Sequence, residues 1–137
     1  METDLDIAEF VERVGAKEPL QNDESYSTFR RMFKRHNYFT LNGRFLIIKV
    51  SRSKRPFWGV GKDFIDFLNG LPNYYLVLLV PGCEGWVFSK EEVGANILDG
   101  KWGLGADNDY KINVPLRDTA SFAGPKTFKR KIGIDEP

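Results

Sequence analysis

The spacing of apolar residues changes several times along the chain, and each change predicts an element. Ile7, Phe10, Val11 and Val14 recur at helical spacing. Thr3 followed by Asp6 resembles a capping box for that helix, and Gly15 is placed to end it. Gly15 to Asn22 reads as a loop. Tyr26 to Arg35 reads as a second helix, with Phe29, Met32 and Phe33 inward and the arginines outward. The tract NYFTLNGRFLIIKV then switches to β-rich runs on either side of Asn42-Gly43. That dipeptide favours the positive φ angles of a two-residue hairpin turn. Tyr38 to Leu41 is therefore expected to pair antiparallel with Arg44 to Val50. Alternation puts Phe45, Ile47 and Lys49 on one face of the second strand and Leu46, Ile48 and Val50 on the other.

Further along, Val60, Phe64, Ile65 and Leu68 mark a helix that Asn69-Gly70 closes. Tyr74 to Val80, YYLVLLV, is apolar at every position, as a central strand buried on both faces requires. PGCEG turns the chain into a short strand, WVFS. Ser89 with Glu92 forms a capping-box pattern for a helix running to about Leu98. YKINVPL is a late strand ended by Pro115, and from Thr119 onward no clear period remains. The expected fold is α/β, with a mixed central sheet flanked by helices. One domain is expected over 1–137: an acidic helix and loop over 1–24, a core over 25–116 and a basic C-terminal tail over 117–137.

Composition narrows the class. The chain has 137 residues, 42% of them hydrophobic, enough for a core without covalent staples. Its one cysteine, Cys83, excludes an internal disulfide framework and a cysteine-based zinc site. The start, METDLDIAEF, lacks the features of a signal peptide, and no apolar run approaches a membrane span of about 20 residues. A cytoplasmic protein with no membrane partner is expected.

The net charge of +1 is no argument for a polyanionic partner, but its distribution is. Between Arg30 and Lys62 there is no acid, while Arg30, Arg31, Lys34, Arg35, Arg44, Lys49, Arg52, Lys54, Arg55 and Lys62 are all basic. Lys126, Lys129, Arg130 and Lys131 form a second cluster. Such clusters bind phosphates, or they are solvated surface. Lys49 is either a snorkelling side chain or a cation directed at phosphate. Phe57 and Trp58 either anchor their loop to the core or stack on bases, and anchoring is the plainer reading. Trp86 and Trp102 read as packing, His36 as a surface or helix-end residue, and Cys83 as a turn residue. GLGADNDY, with Asp107 and Asp109, lacks the spacing of a calcium loop and reads as a loop.

The hairpin strand ending in Lys49, the tract KVSRSKRPFWGVGKDFIDFL, the strand YYLVLLV and the segment GWVFSKEEV together resemble the PD-(D/E)XK nuclease superfamily, which has the restriction-endonuclease-like fold. The resemblance covers roughly Asn37 to Leu116. In that family an aspartate on or before a hairpin strand and an acid-x-Lys triplet on the next strand hold magnesium, and the lysine helps activate water. Here Lys49 matches the motif lysine, Ile47 stands where the acid belongs, and Asn37 falls near the first aspartate. Glu9 or Glu12 would match the helix acid of some members. An amide and an isoleucine cannot replace magnesium-binding carboxylates. The resemblance therefore implies a nucleic-acid-binding protein, DNA being the first candidate, with no metal cofactor. Arg30, Arg31, Lys34, Arg35, Arg52, Lys54, Arg55 and Lys62 would contact the backbone. One alternative is an active magnesium-dependent endonuclease with acids from Glu9 or Glu12, Asp63 and Glu84. Another is a protein-interaction subunit or inhibitor, from a defence or mobile-element system, or a homodimer.

Overall fold

The computed structural model describes residues 2–18, 38–113 and 118–134. At Asn42-Gly43 both residues have positive φ, 49° and 78°, and Leu41 faces Arg44. This is the two-residue turn that the dipeptide predicts, and it joins β1 (Tyr38–Leu41) to β2 (Arg44–Val50) in antiparallel register. β2 then pairs in parallel with β4 (Tyr75–Val80), which pairs antiparallel with β5 (Glu84–Ser89). β8 (Ser121–Ala123) completes a mixed five-stranded sheet of order β1-β2-β4-β5-β8. Lys17 adds a bridge outside β1: its N–H donates to the Thr40 carbonyl at 2.8 Å and its carbonyl accepts from the Thr40 N–H at 2.7 Å.

A parallel pair cannot be joined by a tight turn. The crossover from β2 to β4 holds β3 (Phe57–Gly61) and α2 (Lys62–Leu68). β3 leaves the main sheet and pairs with β7 (Asp109–Asn113), which also pairs with β6 (Gly103–Leu104). Between β5 and β6 lies α3 (Lys90–Leu98). Its N-terminus is the predicted capping box: Ser89 Oγ accepts from the Glu92 N–H, and the Glu92 carboxylate accepts from the Ser89 N–H.

The central sheet divides two apolar cores. On one side, Leu46, Ile48, Val77, Leu79 and Val87 pack against Ile7, Phe10 and Val14 of α1 (Glu2–Val14) and Phe128 of α4 (Pro125–Lys131). Phe10, Phe122 and Phe128 meet there with ring centroids 4.9 to 5.8 Å apart. On the other side, Ile47, Leu76, Leu78 and Phe88 pack against Trp58 and Val60 of β3, Ile112 of β7, α2 and α3. The tyrosine at the start of this second face, Tyr74, is buried, and no partner for its hydroxyl lies among the described residues. Burial, reinforced by the charge of Glu91, pushes its phenol up to about 12.

Several expectations need correction. α1 begins at Glu2, so Thr3 lies within the helix rather than capping it. Val60 belongs to β3, not to the following helix, which starts at Lys62. Apolar residues at 58 and 60 satisfy a strand period that the spacing of Val60 with Phe64 obscured. The segment read as a basic tail is folded: a 3₁₀ turn at Asp118–Ala120, β8 and α4 bury Phe122, Phe128, Ile132 and Ile134. Lysines on the outer side of α4 hid that pattern. The second helix expected over Tyr26 to Arg35 lies outside the described residues. Among the described residues no helix is long and apolar enough to cross a membrane.

Gly85 shows how tightly the sheet is built. Its φ is 155°, and a Cβ there would lie 2.1 Å from the Leu78 carbonyl oxygen of β4. No rotamer relieves a clash between a Cβ and a backbone atom. Gly85→Ala is expected to destabilise the fold by roughly 3 kcal/mol or more. Urea unfolding measures this, and a loss under about 1 kcal/mol would mean that the strand pair shifts to admit a methyl group.

Candidate nucleic-acid interface

Lys49 is the next-to-last residue of β2, opposite Leu78 of β4, on the face it shares with Ile47. It is half-buried, and its ammonium lies 5.7 Å from the centroid of the Phe64 ring on α2. A cation over an aromatic face is attracted by the ring quadrupole. The lysine in an apolar strand thus lies at the margin of the second core, against a ring that tolerates its charge.

The residues that the nuclease motif would bring to Lys49 are distributed differently. Ile47 is fully buried between Tyr38 and Leu76 in the sheet. Glu9 and Glu12 are on α1, which packs on the opposite side of the sheet from Lys49. Asp63 and Glu84 are exposed on α2 and β5. Among the described residues no three Asp, Glu, His or Cys side chains gather where they could hold one ion. Asn37, Arg30, Arg31, Lys34, Arg35 and His36 lie outside the described residues.

The basic residues sort by partner. Arg52 makes a two-pronged ion pair with Asp6: Nε donates to Oδ2 at 2.7 Å and an Nη donates to Oδ1 at 2.9 Å. The Asp6 side chain is 8% exposed and that of Arg52 40%. This pair joins α1 to the loop after β2, and it explains an aspartate on the buried side of an amphipathic helix. Lys62 pairs with Asp66 one turn along α2, which raises its pKa first through the hydrogen bond and then through the charge. Arg44 donates to the carbonyls of Ile132 and Gly133 at the end of α4. A cation there suits the carbonyls left open by a helix terminus. Lys54 and Arg55 are exposed in the loop, which Ser51 closes by accepting from the Phe57 N–H at 3.1 Å.

Phe57 and Trp58 divide the two roles weighed for them. Trp58 is 2% exposed, packs edge-on to Trp86 at 5.6 Å and donates to the Leu79 carbonyl, so it anchors β3. Phe57, one residue earlier, points to the opposite face and is 44% exposed. Across the ladder, Lys111 of β7 faces Gly59, and its ammonium is 6.0 Å from the Phe57 ring. Lys111 also pairs with Asp107, whose carboxyl is lowered by that hydrogen bond. Alternation could have exposed this split from sequence, had the segment been recognised as a strand.

Cys83 occupies a left-handed turn position with φ 59°, where a lone turn residue was expected, but it is buried. Burial raises its thiol pKa, and nearby Glu9 adds to the rise. A raised pKa leaves less thiolate, so the environment does not activate the sulfur. Comparison of the chain with protein-family models, curated proteins and solved structures finds no match.

The Asp6–Arg52 pair is expected to act in folding. Asp6→Ala and Arg52→Ala should each lower stability by about 1–3 kcal/mol, the range for hydrogen bonds to charged groups. Together they should cost clearly less than the sum, because each single change already removes the pair. A double-mutant cycle in urea measures the coupling, and strict additivity would show that the pair contributes nothing.

Proposed function

We propose that this chain is a nuclease-fold protein that binds nucleic acid and does not cleave it. The fold reading is supported by element order. A helix precedes an antiparallel hairpin, and a crossover containing a helix then returns to a strand parallel with the second hairpin strand. This is compatible with a restriction-endonuclease-like core. The observation that carries binding is the exposed sequence Lys54-Arg55 followed two residues later by the exposed ring of Phe57. Cations beside an exposed aromatic suit a phosphate backbone and its bases.

The argument against cleavage rests on Ile47. The position two residues before Lys49 is enclosed by the sheet and has no measurable exposure. A magnesium ligand there would need a carboxylate with room for the ion and its waters. An unpaired carboxylate buried there between Tyr38 and Leu76 would instead be strongly destabilising. An active endonuclease would need a different set of acids, and Glu9 and Glu12 lie across the sheet from Lys49.

Binding is expected to weaken with salt and to tolerate changes of sequence. Each phosphate contact contributes about 0.7 to 0.9 to the slope of log affinity against log salt. Replacing Lys54 and Arg55 together with alanine should flatten that slope by about 1.5 units in fluorescence anisotropy titrations. An unchanged slope would remove this loop from the interface. Arg52 is left intact in this test, because its replacement would disturb the link to α1.

No metal-dependent cleavage is expected in a plasmid-nicking series with magnesium or manganese. Nicking by the unmodified protein that disappears in Lys49→Ala would establish the endonuclease reading instead.

A further inference from the structure

We infer that the outer face of the β3-β7-β6 sheet is a stacking platform for unpaired bases, so that the ligand is single-stranded nucleic acid. This rests on the binding reading above and goes further, naming the surface and the form of the ligand. The first ground is the exposed ring. Trp58, Val60, Tyr110 and Ile112 turn to the core, which leaves Phe57, Gly59 and Gly61 on the outside of β3 and Asp109, Lys111 and Asn113 on the outside of β7. Phe57 is the large apolar side chain on this outer face of the β3–β7 pair, and nothing in the core requires it to be aromatic. In a duplex the bases already stack on one another. An aromatic ring standing on a sheet offers its face only to a base that has left the stack.

The second ground is the shape of β3. Past Phe57, its outward positions are Gly59 and Gly61, so β3 raises no side chain of its own beside the ring, and the group that reaches over these glycines is the Asp109 carboxylate of β7. Glycines inside a strand weaken it and mark places where another group comes close to the backbone. The third ground is charge. The face meets cations at the Phe57 end, where Lys54 and Arg55 lie three and two residues upstream, while Lys111 across the ladder reaches the ring already paired with Asp107. It is anionic at the other end. There the Asp109 carboxylate oxygens lie 3.5 Å from where Gly59 and Gly61 would carry a Cβ. Phosphates are attracted to the first end and repelled from the second. A single strand would therefore keep its backbone over the Ser51–Pro56 loop and direct bases across the ring.

The test uses the full chain and three labelled ligands of equal length: oligo-dT, oligo-rU and a blunt DNA duplex, in fluorescence anisotropy at fixed salt. Both single strands are expected to bind more tightly than the duplex. Phe57→Ala should weaken single-strand binding roughly five- to a hundredfold and leave duplex binding nearly unchanged. Phe57→Leu, which keeps apolar bulk but lacks a π face, should lose most of the same affinity, and Phe57→Trp should retain it. Thermal unfolding of each variant should match the parent, since the ring is outside both cores. Equal affinity for single strands and duplex, with no effect of either Phe57→Ala or Phe57→Leu, would overturn the platform and leave nucleic-acid binding standing. Full affinity in Phe57→Leu alone would also overturn it, by making Phe57 an apolar contact. Failure to bind all three ligands would overturn the binding reading and the platform with it.

Discussion

Everything in this molecule follows from burying β2 and β4 on both faces. Leu46, Ile47, Ile48, Leu76, Val77, Leu78 and Leu79 are all fully enclosed. Two adjacent strands with no wet face need a layer on each side. One layer is α1 with α4, and the other is the three-stranded sheet with α2 and α3. Because β2 and β4 are parallel, the chain must cross over between them, and the crossover supplies part of the second layer. β3 is thus held by its inner side, through Trp58 and Val60, while its outer side is left to solvent. The exposure of Phe57 is a by-product of that demand before it is anything else.

Local chemistry made half of this fold legible in the sequence. Asn42-Gly43 needed only its own positive φ angles, and Ser89 with Glu92 needed only the first turn of a helix. The run from Tyr74 to Val80 declared a central strand by leaving no polar position. What could not be read depended on distant partners. Asp6 and Arg52 are 46 residues apart, and nothing in either neighbourhood identifies the other. Asp6 was consistent with a capping box, and Arg52 with a phosphate contact. The C-terminal segment failed for a different reason. Its apolar residues are spread over a turn, a three-residue strand and a seven-residue helix, each too short to establish a period.

The candidate site was legible in kind and less so in detail. The basic loop and its aromatic pair stood out, but a list of cations does not say which are already balanced. Arg52, Lys62 and Lys111 each have a carboxylate at hydrogen-bond distance. Lys49 rests over Phe64. Chain order also misled about proximity. Glu9 and Lys49 belong to α1 and β2, which pack together, yet the sheet separates the faces they occupy. Alternation in β2 had already fixed the face of Lys49; which face α1 would cover was a tertiary choice.

The bridge between Lys17 and Thr40 has a bearing on how copies of this protein behave in a crowded solution. The margin of a β-sheet is a row of open donors and acceptors, and it recruits strands from other molecules unless something blunts it. On the β1 side, the peptide of Thr40 is already bonded on its outward edge by the Lys17 peptide. On the β8 side, the last strand has three residues and gives way at once to Gly124 and Pro125, where a proline offers no N–H. Among the described residues neither margin provides a long register for templated growth. The segments that enter and leave the five-stranded sheet thus blunt the two margins at which strand-by-strand self-assembly would begin.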